Sequence, residues 1–344
     1  MNVLKTLCVG VSGRGQWPLK TCAPENGFEV SAICDLSEEA LMAAQKLTGL
    51  DRSACYTDYS EALAESGAEA VIICTPTPFH CPFAKQAIEA GLPVLVEKGM
   101  APNWDTAKDM IDYVRGQDAV FCVSQNYRFA ALERTIQRVI RDETDSCFVG
   151  EVFLIDLHHH RVRPIPRTLN YPHASVWDMS CHHFDDLMFW LGPVDEVTAH
   201  ASRSDWSAYD HPANTSAFLR FANGTSVNYH HGHDSSRGAL NIGIHGERGA
   251  VLGGVLDQTS NTSGVDALQY TPRSALQFGT TEPYEVIFED HLGESGVLSD
   301  FRAYIDGGPE PGISGYQNLE VMATCQMVVM SVEQGRTIRR DELP

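Results

Sequence analysis

Two glycines one residue apart follow the apolar run Leu4–Val11 in the segment Val9-Gly10-Val11-Ser12-Gly13-Arg14-Gly15. Glycine permits a tight turn there. It also lets backbone N–H groups approach a pyrophosphate, whose charge suits the start of a helix. Gly10, Ser12, Gly13, Arg14 and Gly15 are therefore candidate dinucleotide contacts. Position 18, where a third small residue belongs, holds Pro18. Proline can open a helix, but it puts close helix–strand packing in question. Asp35 stands about twenty residues past the loop, at the end of the next apolar run, where an acid binds ribose hydroxyls. An acid at that point repels a 2′-phosphate, and Leu36 supplies no cation for one, so NAD is favoured over NADP. The duller reading of Asp35 is a cap for the helical stretch Ser37–Leu47.

A second constellation is polar residues on an apolar helix. Asp178 and His182 are four apart, which puts both on one face of a helix spanning Asp178–Leu191. Trp177, Cys181, Phe184, Leu187, Met188 and Leu191 give that helix a mostly buried character, and buried Asp and His need partners. The unperturbed pKa of imidazole makes His182 the natural proton acceptor. Histidine also recurs as His158-His159-His160, His182-His183, His230-His231 and His233. Neighbours on a strand face opposite sides, so three consecutive histidines cannot all reach one ion, and no metal site is expected, Asp185 and Asp186 beside His182 notwithstanding. His158 and His160 are expected to line a substrate cleft. Arg161, Arg163 and Arg167 follow in a Pro/Arg-rich loop, Arg161–Pro172. Arginine suits carboxylates or vicinal hydroxyls, which leaves an acidic or phosphorylated sugar open.

These residues need a frame. Short apolar runs at Leu4–Val11, Phe28–Cys34, Ala70–Thr75, Pro93–Val96 and Val120–Ser124 alternate with helical stretches at Ser37–Leu47, Asp58–Glu65, Phe83–Ala90 and Asp105–Val114. Strands separated by helices imply crossovers and a doubly wound parallel sheet; runs that are apolar throughout suit strands buried on both faces. The character changes near Gln125. Arg128–Arg141 reads as a helix and Glu151–Leu157 as a strand. After Gly192 the strands lengthen and alternate, with Asn223-Gly224 as a hairpin turn between Ala217–Phe221 and Ser226–His230. Leu240–His245 and Ala250–Leu252 flank a second turn, Gly253–Gly264 is the most loop-like stretch, and Ser314 caps a last helix, Ser314–Glu333. The expectation is an α/β domain over residues 1–125 and an α+β domain with a large, mostly antiparallel open sheet over 126–344.

Bulk properties narrow the partners. The 344 residues suit two domains. A net charge of −20 with no Lys/Arg cluster disfavours nucleic acid and anionic membranes. No apolar run reaches membrane-spanning length, and Met1–Gly10 does not read as a signal peptide. The ten cysteines show no CxxC spacing and several sit in apolar runs, which points to reduced thiols and a cytoplasmic setting.

Beyond the loop and Asp35, the chain resembles the family of glucose–fructose oxidoreductase, inositol dehydrogenase and MocA proteins along nearly its whole length. Thr75-Pro76-Thr77-Pro78-Phe79-His80 is similar to the family's TPN-x-x-H segment and Val96-Glu97-Lys98-Gly99 to its EKP segment. Gln125-Asn126-Tyr127-Arg128-Phe129 resembles the join between its domains. Asp178 to Asp185, followed by Trp190-Leu191-Gly192, resembles its D-x-x-x-H helix. Gly99 stands for the family's Pro, Thr77 for its Asn and Pro18 for a Gly.

The resemblance implies a Rossmann domain whose cofactor contacts extend to Thr75, Pro76, His80, Glu97, Lys98 and Gln125. It also implies a reactive trio of Lys98, Asp178 and His182. In that trio His182 takes the hydroxyl proton, Asp178 orients it or holds a neighbouring hydroxyl, and the Lys98 ammonium steadies developing alkoxide charge. The nicotinamide takes the hydride. Arg128, His158, His160, Arg163 and Trp177 are read as the substrate side. The function implied is transfer of a hydride between NAD and a carbinol of a sugar or polyol. An NAD-dependent glycosidase working by transient oxidation and a non-catalytic NAD/sugar sensor are the alternatives. Homodimers or homotetramers paired through the second domain's sheet are expected.

Overall fold

The computed structural model describes residues 2–163, 172–258, 267–273 and 283–344. The chain forms two compact units: residues 1–129 with 292–322, and 130–291 with 323–344. The stretch Leu292–Met322, which the sequence reading placed in the second domain, therefore belongs to the first.

In the first unit, β1 (Leu4–Val9), β2 (Phe28–Cys34), β3 (Cys55–Tyr56), β4 (Ala70–Ile73), β5 (Val94–Glu97) and β6 (Phe121–Ser124) alternate with α1 (Gln16–Thr21), α2 (Glu38–Thr48), α3 (Tyr59–Glu65), α4 (His80–Glu89) and α5 (Trp104–Gln117). The strands pair in parallel in the order β3-β2-β1-β4-β5-β6. The order reverses at β1, so ligands are expected in the crevice outside the carboxyl ends of β1 and β4. Caps fix the helix starts: Ser37, Asp58 and Asn103 each accept a backbone N–H from the first turn of α2, α3 and α5. β4, β5 and β6 are buried at every position, as their apolar runs require, with the polar Glu97 and Ser124 at the carboxyl ends of β5 and β6. Helix α8 (Gly293–Ile305) completes this unit. Its Val297, Leu298 and Phe301 pack with Phe28, Ile72 and Leu95, and the rings of Phe28 and Phe301 stack with centroids 5.6 Å apart.

The second unit contains α6 (Ala131–Arg141), α7 (Cys181–Leu191), β7 (Val152–Val162), β8 (Val194–Ser202), β9 (Asn214–Phe221), β10 (Ser226–Gly232), β11 (Asp234–Gly246), β12 (Gly249–Gln258), β13 (Leu268–Pro272), β14 (Tyr284–Glu285) and β15 (Ile338–Arg339). They form one sheet in the order β14-β13-β12-β11-β7-β10-β9-β8-β15. Among the described residues only the β7–β10 pair is parallel; the rest are antiparallel. Helix α9 (Gly315–Gln334) runs from the first unit's residues into the second's, and its predicted cap is present: Ser314 Oγ accepts the Gln317 N–H at 3.1 Å.

Three readings of this half change. β7 continues to Val162, because His158–Arg161 keep the alternation begun at Ile155 and Leu157. Arg161 is therefore a buried strand residue and not the start of a loop, while Arg167 lies outside the described residues. Gly253–Gln258, taken as loop, forms the end of β12. The helix at Asp178 is two pieces: a π-helical turn, Val176–Ser180, leads into α7.

Candidate active site

The glycine segment forms the turn its sequence demands. Gly10 and Gly13 have positive φ, 77° and 52°, which costs glycine little. A Cβ on Gly10 would lie 2.9 Å from the backbone of Cys74 and Thr75, and one on Gly15 would lie 1.7 Å from the Gly10 carbonyl oxygen. The close approach expected of a third glycine is thus supplied by Gly15. Pro18 is tolerated in α1 because it falls in the first turn, where N–H groups have no intrahelical partner.

Asp35 follows β2 directly. Its Oδ2 accepts the Val11 N–H and its Oδ1 the Ser37 N–H, both at 2.9 Å. Asp35 therefore ties the glycine loop to the start of α2, while Ser37 caps that helix. Each carboxylate oxygen keeps acceptor capacity for ribose hydroxyls. A cavity of about 290 Å³ opens here, lined by Gly10, Ser12, Asp35, Thr75 and Pro76 on its polar side and by Leu36, Tyr59, Phe79 and Phe83 on its apolar side. At the same sheet edge, Thr75 Oγ1, Ser124 Oγ and both amide atoms of Gln125 are buried without a hydrogen-bond partner among the described residues. Buried polar atoms left unsatisfied call for a partner, and a dinucleotide with its ribose and amide groups supplies such partners.

The remaining sequence-named residues of this unit have defined contacts. Arg14 Nε meets Glu97 Oε1 at 2.8 Å and its Nη2 meets Glu294 Oε1 at 2.8 Å, so its guanidinium is held by two acids. Glu97 is buried and its Oε2 accepts the Lys98 N–H at 2.9 Å. Lys98 is half-buried just beyond β5, and the Lys98–Gly99 peptide is cis. The buried His80 ring spans two strand ends, with Nδ1 2.8 Å from the Gly99 carbonyl oxygen and Nε2 2.6 Å from that of Thr75. Its contacts brace the site's backbone. Arg128 lies with its Nη1 against Gly312 in the first unit.

In the second unit, Trp177 and Asp178 are buried in the π-helical turn and His182 is buried on the first turn of α7. The turn lengthens the local repeat, so Asp178 and His182 do not keep the plain one-turn α-helical offset read from their spacing. The sheet beneath anchors this turn. Tyr229 Oη donates to Ser180 Oγ at 2.8 Å, His183 Nδ1 lies 2.8 Å from Tyr229 Oη, and His159 Nδ1 lies 2.9 Å from His183 Nε2. Arg161 Nη1 contacts Met179 Sδ at 3.5 Å.

Strand parity corrects the histidine expectation. His159 faces α7, whereas His158 and His160 face the other side of the sheet, in an open depression with His200, Ser216 and His230. Continuing the alternation of Ile155 and Leu157 by one step singles out His159. The contributions of His183, Tyr229, Ser180, His231 and Thr215 depend on cross-strand register, which the sequence does not carry. Arg163 follows β7 with its N–H bonded to the His233 carbonyl oxygen. Among the described residues, no three His, Cys, Asp or Glu side chains converge as metal ligands.

Residues 4–125 match the model of an oxidoreductase family with an NAD-binding Rossmann fold, and residues 137–252 match the C-terminal domain of the same Gfo/Idh/MocA group. The chain belongs to that family. It is thus an NAD-binding oxidoreductase of the dehydrogenase/reductase kind. As a Gfo/Idh/MocA member it is 22% identical to the y4oX protein of Sinorhizobium fredii, over 98% of this chain and 96% of that one. It is 23% identical to D-apiose dehydrogenase of Paraburkholderia graminis, over 92% and 84% of the two chains. The WlbA dehydrogenase of Bordetella pertussis, solved in complex with NADH and UDP-GlcNAcA, superposes with a TM-score of 0.76 at 22% identity, over 100% and 99% of the two chains.

Proposed function

We propose that this Gfo/Idh/MocA protein moves a hydride between NAD and a secondary alcohol or ketone of a sugar, inositol or sugar derivative. The observation that carries the reading is the cavity at the carboxyl edge of the first sheet, where glycine backbone, the anchored Asp35 and unsatisfied Thr75 and Gln125 side chains fit a dinucleotide. The bound nicotinamide supplies the hydride acceptor or donor. The chain supplies the rest. Lys98 places an ammonium beside the reacting oxygen, His182 takes or returns the hydroxyl proton, and Asp178 orients His182 or a neighbouring hydroxyl. Asp35 selects NAD, since its charge opposes a 2′-phosphate and the nearby Arg14 is already held by Glu97 and Glu294. The carbohydrate names of D-apiose dehydrogenase and of the WlbA ligand support a sugar-type substrate.

The test is a screen of sugars, inositols and sugar acids with NAD and NADP, read at the reduced-nicotinamide absorbance. NADH formation with at least one polyol and a clear preference for NAD is expected. Equal use of NADP contradicts the role of Asp35, and no turnover of any compound contradicts the assignment. We also infer that the open sheet face, where Phe218 and Leu252 are about half exposed, pairs subunits into dimers or tetramers. Light scattering that finds only monomers at micromolar concentration refutes this.

A further inference from the structure

Helix α4 opens on two side chains that hold the chain just beyond β5. The His80 ring is 1% exposed. Its Nδ1 lies 2.8 Å from the Gly99 carbonyl oxygen and its Nε2 lies 2.6 Å from the Thr75 carbonyl oxygen. Next to it, Cys81 Sγ donates to the Met100 carbonyl oxygen at 3.4 Å. Position 99 holds glycine where the family's segment has proline. No ring restricts the backbone there, so these contacts from α4 take over that part. Lys98 stands between two anchors: its own N–H is bonded to Glu97 Oε2 at 2.9 Å, and the carbonyl of the next residue meets His80.

The two carbonyls decide the charge on the ring. A carbonyl oxygen can only accept a hydrogen bond. A neutral imidazole carries a single N–H, so it would turn a bare nitrogen toward one of the two oxygens at hydrogen-bonding distance. Two acceptors so placed repel. An imidazolium donates to both. A buried charge is costly unless it is paired and hydrogen-bonded. Here both N–H groups have acceptors, and the buried Glu97 carboxylate brings negative charge to the same strand edge. The elements packed on α4 are β4, β5 and α5. After β4 comes the Cys74 thiol, and α4 itself carries the Cys81 thiol, both kept protonated chiefly by burial. β5 brings Glu97 and, just past its end, Lys98, and Glu97 holds Arg14 of the glycine turn. Lys85 lies one turn further along α4. The buried residues of α5 are apolar, and its acids Asp105, Asp109 and Asp112 are exposed.

We propose that His80 is a buried imidazolium whose two protons clamp the Thr75 segment to the Gly99 carbonyl, which makes it a positioning residue for Lys98. The charge follows from the fold; its consequence for Lys98 rests on the hydride-transfer reading. Losing either proton turns one of the two bonds into a repulsion. The cofactor-side segment at Thr75 and the Lys98 backbone then part, and the ammonium no longer stands where the reacting oxygen needs it.

The test is nitrogen NMR of the full-length protein labelled in histidine, at pH 8, where histidines with the ordinary value of about 6.5 are neutral. A ring with both nitrogens protonated is expected, and its signal should vanish in His80→Gln. His173 and His245 face Glu333 and Asp156; His173→Gln and His245→Gln tell their signals apart. As the pH is raised further the His80 ring gives up a proton. With the same midpoint, kcat on the best polyol and NADH affinity, read by fluorescence, should each fall about ten-fold or more, the scale of a hydrogen bond to a charged group. His80→Gln should start low in both and show no limb at that midpoint. The unaltered chain decides the matter even where the variant fails to fold. If polyols are turned over but no ring is doubly protonated at pH 8, or if kcat and NADH affinity ignore the His80 midpoint, the proposal is overturned and the oxidoreductase reading stands. If NADH affinity follows that midpoint but no polyol is turned over, the clamp stands and the oxidoreductase reading falls.

Discussion

At the residue scale the chemistry rests on a few side chains whose roles follow from position and charge. Asp35 holds two backbone N–H groups and faces the cavity. Replacing it with Ala removes both acceptors and the charge that opposes a 2′-phosphate. We expect NAD affinity to fall by about ten-fold or more, the scale of a hydrogen bond to a charged group, while NADP use rises relative to NAD. Titrating NADH and NADPH fluorescence against the variant checks this, and an unchanged ratio contradicts it. The turn at Gly10 and Gly15 and the place of Asp35 against it were legible in the sequence because each needs a residue type at a fixed distance. His158 and His160 were misread because parity on a strand depends on which neighbours are buried. Ile155 and Leu157 carry that parity to His159.

At the element scale, the π-helical turn is the feature that a spacing rule did not anticipate. The four-residue spacing of Asp178 and His182 suggests a plain helix, and nothing local marks the extra residue per turn. What holds the turn is tertiary: Tyr229 on β10 and His183 on α7. Tyr229→Phe removes the hydroxyl and leaves Ser180 and His183 short of a partner, at an expected stability cost of about 1–3 kcal/mol. As a positioning residue it should lower kcat about ten-fold with little change in KM, and shift the pH profile of kcat. A melting curve alone that moves, with kinetics unaltered, refutes the positioning role. On α6, burial raises Glu133 to about 7. Its folded pKa thus exceeds the unfolded one, so its contribution is lost as pH rises through about 7. Glu133→Gln should raise the melting temperature at pH 8 and change it little at pH 4, with a gain on the order of 3 kcal/mol.

At the scale of the whole molecule, the two layered units follow from the alternation of runs and helices, and the sequence conveyed them. It did not convey that Leu292–Met322 joins the first unit, because nothing local in Val297, Leu298 and Phe301 of α8 says which core they enter. The buried histidines also give the molecule a pH limit. His159, His183 and His231 are all depressed, chiefly by burial. Their contribution is present above the unfolded value of about 6.5 and is lost as pH falls below it. Near pH 5 the three take up protons on unfolding while Glu133 releases one. From these four groups stability should fall by about 3 kcal/mol per pH unit on acidification. Denaturant titrations at several pH values between 4.5 and 6.5 measure the slope, and a flat profile contradicts the buried cluster.

The proposed chemistry requires that the ammonium of Lys98 and the imidazole of His182 serve the same reacting carbon. A double-mutant cycle on kcat tests it, using Lys98→Met, His182→Asn and both together at saturating NAD and polyol. We predict single losses of about 10²–10⁴-fold and a double variant scarcely worse than the poorer single, because residues acting on one step are not additive. Losses that multiply in the double variant, or a single variant that keeps full kcat, would contradict it.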